Sequence, residues 1–374
     1  MKIEFYKHDI SKADIANLNK VLKGVFLTTG ETVADFEKKL AQYLGAKYAV
    51  GLMSGTAALH LSLAYFGIGS GDEVITTPLT YTATLDAIEY VGAKPVLVDV
   101  EAGTGNINAD LIESKITKKT KAILPVHLYG QMCDMRKIRS LADKYGLKII
   151  EDSAHCLEGK RDGAAPAQLG DIACFSFYAT KNITCGEGGA IATNIADAND
   201  WFKQARSHGL SKDVSERYGK TYVHYDKEFL GFKCNMSNIQ AALMLDQLKR
   251  VDRRLKIREK ICQTYDKYFS KIKGITLLGL ESDTVSARYL YTILVGKSRR
   301  DAIMQQLRLK GINTVVNYSP AHLLSYYRKK YGLKEGDFPV AEDIGLRTIT
   351  LPLYPKLTKK ETEYIIKTVI EIVG

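Results

Sequence analysis

The sequence has no run of about 18 apolar residues, so no segment reads as a helix that crosses a bilayer. The first ten residues, Met1 to Ile10, lack the apolar stretch of a secretory leader, which makes the cytoplasm the expected compartment and a membrane partner unexpected. Six cysteines are present, yet none forms a C-x-x-C pair or a His/Cys ligand spacing. That pattern argues against a metal site and against a disulfide framework, and leaves reduced, mostly buried thiols. Low-complexity stretches and internal repeats are also missing.

Instead, 45% of the residues are apolar and 25% are charged, the balance of an ordinary globular chain and outside the range of disordered ones. With 374 residues the chain is long enough for two domains. The net charge of +11 is compatible with a nucleic acid, an anionic small substrate or a solvated surface. Its basic residues are scattered in short groups, Lys118 to Lys121, Arg253 to Lys260 and Lys297 to Arg300, with no nucleic-acid-binding motif beside them. No nucleic-acid partner is expected.

Ser11 with Asp14 forms a capping pattern ahead of a helix whose stripe is Ile15, Leu18 and Leu22, closed near Gly24. Phe36, Leu40 and Leu44 predict a second helix that ends at Gly45. Between residues 48 and 195, strand-like runs occur at Tyr48–Leu52, Glu73–Thr77, Lys94–Val98, Lys121–Pro125, Leu147–Glu151, Ala173–Phe177 and Gly189–Thr193. Helical spacing lies between several of them, as at Ala57–Tyr65 and Met135–Tyr145, and this alternation predicts a mainly parallel, doubly wound sheet. A long helix is expected over Asn238–Lys260, with Ala241, Leu245 and Leu248 on one face. The remainder reads as α+β: strands at Tyr289–Val295, Thr314–Asn317 and Arg347–Leu351, a helix at Arg300–Leu309, and a last helix capped by Thr358 and Glu361. The expected division is a large domain over 1–248 and a small C-terminal domain over 249–374.

In open parallel sheets, ligands gather beyond the carboxyl ends of the strands, and four strand exits here carry chemistry. Met53-Ser54-Gly55-Thr56-Ala57 is a small turn opening a helix, suited to a phosphate or to close helix packing. Thr77 to Thr84 offers hydroxyls and the ring of Tyr81, which can stack on a flat ligand or sit in the interior. Glu151-Asp152-Ser153-Ala154-His155 ends a buried strand on two carboxylates. Asp152 can hold a protonated heterocycle or cap a helix, and His155 can serve a ligand or the core. In Phe175 to Gly189, Lys181 follows an aromatic strand and precedes glycines. It can form a Schiff base or sit in a solvated loop, and Ser176 can bond a phosphate.

The ordered set of phosphate turn, aromatic platform, Asp with His three residues later, then Ser and Lys resembles the DegT-type nucleotide-sugar aminotransferases, a family of fold-type-I pyridoxal-phosphate enzymes. The likeness runs nearly the whole chain and includes Thr28-Thr29-Gly30, Pro125 to Gly130, Arg206 to Gly209 and Gly231 to Ser237. It implies an α/β fold with a large α/β/α sheet domain and a smaller C-terminal α+β domain. It further implies that Lys181 bonds pyridoxal 5'-phosphate and that Asp152 pairs with the ring nitrogen. Tyr81 would stack, His155 would touch the cofactor, and Gly55, Thr56, Ala57 and Ser176 would bind the phosphate. Asn235 would reach the phosphate of a neighbouring subunit in a homodimer with shared active sites. For the substrate, Thr28, Thr29, Tyr318 and His322 match regions that line the sugar pocket.

The implied reaction transfers an amino group, with L-glutamate the expected donor, to a nucleotide-linked keto-sugar. Likeness over Ser176 to Gly189 points to C4 of a 4-keto sugar in polysaccharide, glycan or antibiotic biosynthesis. Amination at C3, a pyridoxal-phosphate sugar dehydratase and a non-catalytic regulatory homologue are the alternatives. Relatives that dehydrate carry histidine where this chain has Lys181.

Overall fold

The computed structural model describes residues 1–211 and 224–374. In chain order the strands are β1 (Tyr48–Leu52), β2 (Glu73–Thr76), β3 (Lys94–Leu97), β4 (Thr120–Ile123), β5 (Lys148–Asp152), β6 (Lys160–Arg161), β7 (Ile172–Ser176), β8 (Gly189–Thr193), β9 (Thr284–Val285), β10 (Tyr291–Leu294) and β11 (Thr348–Leu351). Seven of them form one sheet in the order β1-β8-β7-β5-β4-β2-β3. The pairs from β3 through β7 are parallel, and β8 runs antiparallel to both of its neighbours.

Strand pleating explains why both faces of this sheet are covered. Val50, Leu52, Ile150, Ile172, Cys174 and Ile191 point into one buried cluster, shared with α3 (Gly55–Tyr65) and with residues of the later helix Ala196–Ala205. Their neighbours Ala49, Ala173, Phe175, Ala190 and Ala192 point into another, against Phe36 and Leu40. Strands buried on both faces read as continuous apolar runs, which made them visible in the sequence. The expected α/β class, with a mainly parallel sheet between helical layers, is therefore present.

Ahead of the sheet lie α1 (Lys12–Leu22) and α2 (Glu31–Leu44), the latter closed by Gly45 at φ +66°. After α3 come α4 (Ala83–Tyr90), α5 (Ala109–Ile112), α6 (Met135–Tyr145) and α7 (Ala196–Ala205). The expected helix over Asn238–Lys260 is instead two, α8 (Asn238–Lys249) and α9 (Val251–Phe269), because Arg250 leaves helical geometry at φ −112°, ψ 9°. Its guanidinium pairs with Asp14, a fully buried carboxylate that also completes the Ser11 cap of α1. The stripe on α1 faces outward, with Ile15 and Leu22 about half exposed.

The C-terminal part adds α10 (Arg300–Leu309), α11 (Ser325–Tyr331), α12 (Pro339–Arg347) and α13 (Lys359–Val373) around the antiparallel pair β10–β11. The Thr358–Glu361 capping box is formed. Its core contains Tyr265, Phe269, Ile293, Leu307, Ile349 and Val369, and Ile3 from the N-terminus packs there too. The strand expected at Thr314–Asn317 is only an isolated bridge from Val315 to Thr350. Helices α11 and α12 have no counterpart among the sequence expectations.

Candidate active site

Where β5 ends, successive residues face opposite ways. Asp152 accepts hydrogen bonds from the Thr84 hydroxyl at 2.8 Å and from the Ala154 N–H at 3.1 Å. Since Thr84 donates to the carboxylate, Thr80, at 2.7 Å, donates to Thr84. Burial raises the Asp152 pKa; the Thr84 hydroxyl, the Ala154 N–H and the charge of Lys181 act against that rise. Glu151 instead bonds His127 Nε2 at 2.7 Å and accepts the N–H groups of Ala167 (2.8 Å) and Gly170 (3.2 Å). A side chain at position 170 would collide with Glu151, its Cβ lying 2.3 Å from Oε1.

His155 is buried, and the Tyr129 N–H donates to its Nδ1 at 3.3 Å. The proton of the neutral ring therefore sits on Nε2, which is 2.9 Å from the Tyr318 hydroxyl. Burial, then the charge of Lys181, hold the His155 pKa well below its ordinary value, so the ring is neutral at physiological pH. Tyr129 holds a left-handed backbone at φ +56°, and its hydroxyl donates to the Asn317 carbonyl. That residue ties the β4 exit to the segment carrying Tyr318.

Lys181 follows β7 on a short loop, its Nζ 4.3 Å from the centroid of the Tyr289 ring. The loop is anchored by its neighbour: the Asn182 amide donates to Glu158 at 2.8 Å and to the Ala287 carbonyl at 3.0 Å. Glu158 is in turn held by Arg258 at 2.5 Å. Tyr289 also lies 4.4 Å from the His155 ring and shares a 3.1 Å hydrogen bond with Thr180.

At the start of α3, Ser54 caps the helix by accepting the Ala57 N–H at 3.0 Å. Gly55 lies so close to Ser176 that an added Cβ would stand 2.9 Å from the serine Cβ. Gly189 allows this approach, since a Cβ there would meet the Ser54 backbone at 2.3 Å. A helix N-terminus and a serine hydroxyl thus share one corner, a combination that binds anions.

These parts converge. Gly55, Thr56, Tyr81, Asp152, His155, Ser176, Lys181 and Tyr318 all line one cleft of about 580 Å³. Tyr81 stands at its mouth, 62% exposed. Ala57 is outside the lining, its N–H already committed to Ser54. His322 is placed differently from its expected sugar contact. It is fully buried, bonded to Glu342 at 2.9 Å and packed edge-on against Phe338, and it does not line the cleft.

Thr28, Thr29 and Asn235 form a separate group. The Asn235 amide donates to the Thr29 hydroxyl at 2.7 Å, Thr29 donates to the Met236 carbonyl, and the exposed Thr28 accepts the Asn238 N–H through its carbonyl. None of the three lines the cleft of its own chain.

Thr84, Tyr129 and Tyr289 were not singled out from the sequence for the roles they take here. Thr84 stood at the end of a quoted motif, but only its position on α4, three residues past Tyr81, brings it to Asp152. No local pattern marks Tyr289, which arrives from the C-terminal part of the chain. Among the described residues, no group of three His, Cys, Asp or Glu is arranged to hold a metal ion, and no helix is long and apolar enough to cross a membrane.

The cleft fits pyridoxal phosphate by its donor set. It offers a lysine for the aldehyde, a buried carboxylate for a protonated ring nitrogen, and a helix start with Ser176 for the phosphate. This fold and site define a pyridoxal-phosphate-dependent aminotransferase of fold type I. The chain belongs to the DegT/DnrJ/EryC1/StrS aminotransferase family, whose pattern matches residues 8–370.

Spore coat polysaccharide biosynthesis protein SpsC of Bacillus subtilis is 40% identical over 370 residues, covering 97% of this chain and 95% of SpsC. GDP-perosamine synthase of Caulobacter vibrioides is 37% identical, covering 92% and 91%. Among solved structures, Spr1654 of Streptococcus pneumoniae in its PMP-form superposes with a TM-score of 0.94 at 34% identity, covering 100% of this chain and 99% of that one. A PLP-form of the same protein has a TM-score of 0.93.

Proposed function

We propose that this aminotransferase moves an amino group from L-glutamate to C4 of a nucleotide-linked 4-keto sugar, in the biosynthesis of a surface polysaccharide or related glycan. The observation that carries the reading is the convergence of Lys181, Asp152, His155 and the Gly55–Ser176 corner on one cleft. Likeness to GDP-perosamine synthase and to the polysaccharide protein SpsC supports a nucleotide-linked sugar as acceptor.

When bound, pyridoxal phosphate supplies an electron sink for the bond broken at the amino-bearing carbon. The chain's own residues do the rest. Lys181 carries the cofactor and, once released as an amine, takes a proton from the donor carbon on Nζ and returns it. Asp152, desolvated and oriented by Thr84, holds the proton on the ring nitrogen by a charge-assisted bond. Gly55 and Thr56 bring helix-start N–H groups, and Ser176 a hydroxyl, to the phosphate. Tyr81 covers the ring, and the neutral His155, donating from Nε2 to Tyr318, joins the cofactor side of the cleft to the sugar side. His322 has no part in this reading.

The same reading places Thr28, Thr29 and Asn235 at the neighbouring subunit's cleft in a homodimer. The exposed apolar residues next to Thr28 and Thr29 in sequence, Val25, Phe26 and Leu27, support a covered surface there. Mixing inactive Lys181→Ala with inactive Asn235→Ala chains tests this. Shared sites regain activity in the mixture, whereas self-contained sites do not. The substrate assignment is tested by incubating enzyme, L-glutamate and nucleotide-linked 4-keto or 3-keto sugars, then identifying the amino sugar by mass spectrometry. Amination of the 4-keto compound supports the reading; amination of the 3-keto compound alone, or dehydration without donor consumption, replaces it.

A further inference from the structure

Behind the loop that bears Lys181 lies a second, smaller cavity of about 30 Å³. Its lining brings together four distant parts of the chain: Tyr6 and Asp9 from the N-terminus, Thr180 to Asn182, Arg258, and Tyr354 from the C-terminal part. Three of these side chains end in buried polar atoms without a partner among the described residues, namely the Tyr6 hydroxyl, Arg258 Nη1 and the Tyr354 hydroxyl. Arg258 is 1% and Tyr354 2% exposed. Buried polar atoms in native proteins almost always find a partner, and a cavity needs roughly 10 to 15 Å³ for each water it holds. This cavity has room for about two waters.

Lys181 also lines the cavity, and once it is bonded to the cofactor the remaining charges around it argue for water over an anion. Arg258 is neutralised by Glu158, Asp9 pairs with Arg254, and Lys7 is 3.4 Å from Glu361. Both tyrosines keep their protons at neutral pH, burial pushing each up to about 12. Each hydroxyl can therefore both donate and accept, as a water chain requires. Lys181 and Tyr289 line this cavity and the cofactor cleft alike, so the Lys181 loop forms the wall between the two.

We propose that this cavity is a bound-water site, in which two waters bridge Arg258 Nη1, the Tyr354 hydroxyl and the Tyr6 hydroxyl and exchange the proton carried by Lys181 with solvent. The site itself is independent of the substrate assignment; the exchange step rests on the proposed role of Lys181. During turnover the lysine takes a proton from the donor carbon. A water behind it lets that proton be replaced from solvent before it is returned, with no net change in charge or electrons.

A high-resolution crystal structure of the cofactor-loaded protein, native and soaked in bromide, decides the first part. Two ordered waters, each within hydrogen-bond distance of two of the three groups, and no anomalous bromide peak are expected. A dry cavity, or a bromide peak in it, overturns the site. The second part is read with L-glutamate deuterated at its α carbon, by following the label retained in the pyridoxamine form of the cofactor in single turnover. Replacing Tyr354→Phe should raise retention by roughly 2-fold as proton exchange slows. Unchanged retention in a variant that folds and binds cofactor normally would break the link to Lys181. If Tyr354→Phe does not fold, Tyr6→Phe gives the same reading. Failure of L-glutamate to react at all would fault the donor assignment, and the crystallographic arm would still decide the water site.

Discussion

Two carboxylates stand side by side at the tip of β5, and the pleat of the strand sends them to different work. Asp152 opens onto a cleft with room for a cofactor and has a raised pKa, held against that rise by Thr84 and the Ala154 N–H. Glu151 is fully buried and fully engaged, binding His127 on one oxygen and the Ala167 and Gly170 N–H groups on the other. Among the described residues, Asp152 feels the charge of Lys181 but forms no salt bridge, whereas Glu151 has its partners built in. A charged group whose protein contacts are incomplete marks the place where a ligand completes them, whereas a saturated one marks architecture.

The largest test of this contrast lies on the cleft side, where Lys181→Ala should reduce turnover by roughly 10⁴-fold or more and remove the visible absorption of bound cofactor. A variant that stays coloured and active would take the covalent role away from Lys181. Next comes Asp152→Asn, which should lower kcat by about 10²- to 10³-fold. Its effect on the cofactor-free fold has the opposite sign. A carboxylate with a raised pKa contributes stability that is present below its unfolded pKa and lost as pH rises through the folded one. At neutral pH the neutral amide is therefore favoured. The apoprotein of Asp152→Asn should melt higher than the parent at pH 7, and this gain should shrink as pH falls.

Glu151→Gln should behave in reverse, melting about 3 to 6 °C lower because the amide's NH₂ group must face N–H donors, while kcat per folded molecule changes by less than roughly 3-fold. If Glu151→Gln loses activity as Asp152→Asn does, with its melting point intact, the division between the two faces fails. The smallest effect belongs to Thr84→Val, which removes a single donor from Asp152. About 5-fold in kcat is expected with little change in sugar KM, read from steady-state kinetics.

The contrast also explains what could be read in advance. Strands buried on both faces announced themselves, because Ile149-Ile150 or Ala173-Cys174-Phe175 leave no polar position to blur the pattern. Lys181, Asp152, Ser176 and Gly55 were legible because each sits at or just beyond the end of such a strand, where order along the chain maps onto position in the cleft. His322 misled, since its motif lies near Tyr318 in sequence, yet the turn directs it to Glu342 and the interior. The break at Arg250 was hidden, and one of the carboxylates its guanidinium meets there, Asp14, comes from a helix more than two hundred residues earlier. Tyr289 escaped as well. Its value lies in facing Lys181 and His155, a relation that only tertiary packing creates.

The most direct measurement is an absorption spectrum of the purified protein titrated with pyridoxal phosphate and then with L-glutamate. A visible band should appear on cofactor binding and give way to near-ultraviolet absorption when glutamate is added, as the amino group passes to the cofactor held by Lys181. No visible band on adding pyridoxal phosphate, or a band that no amino acid discharges, would contradict the assignment of this cleft to transamination.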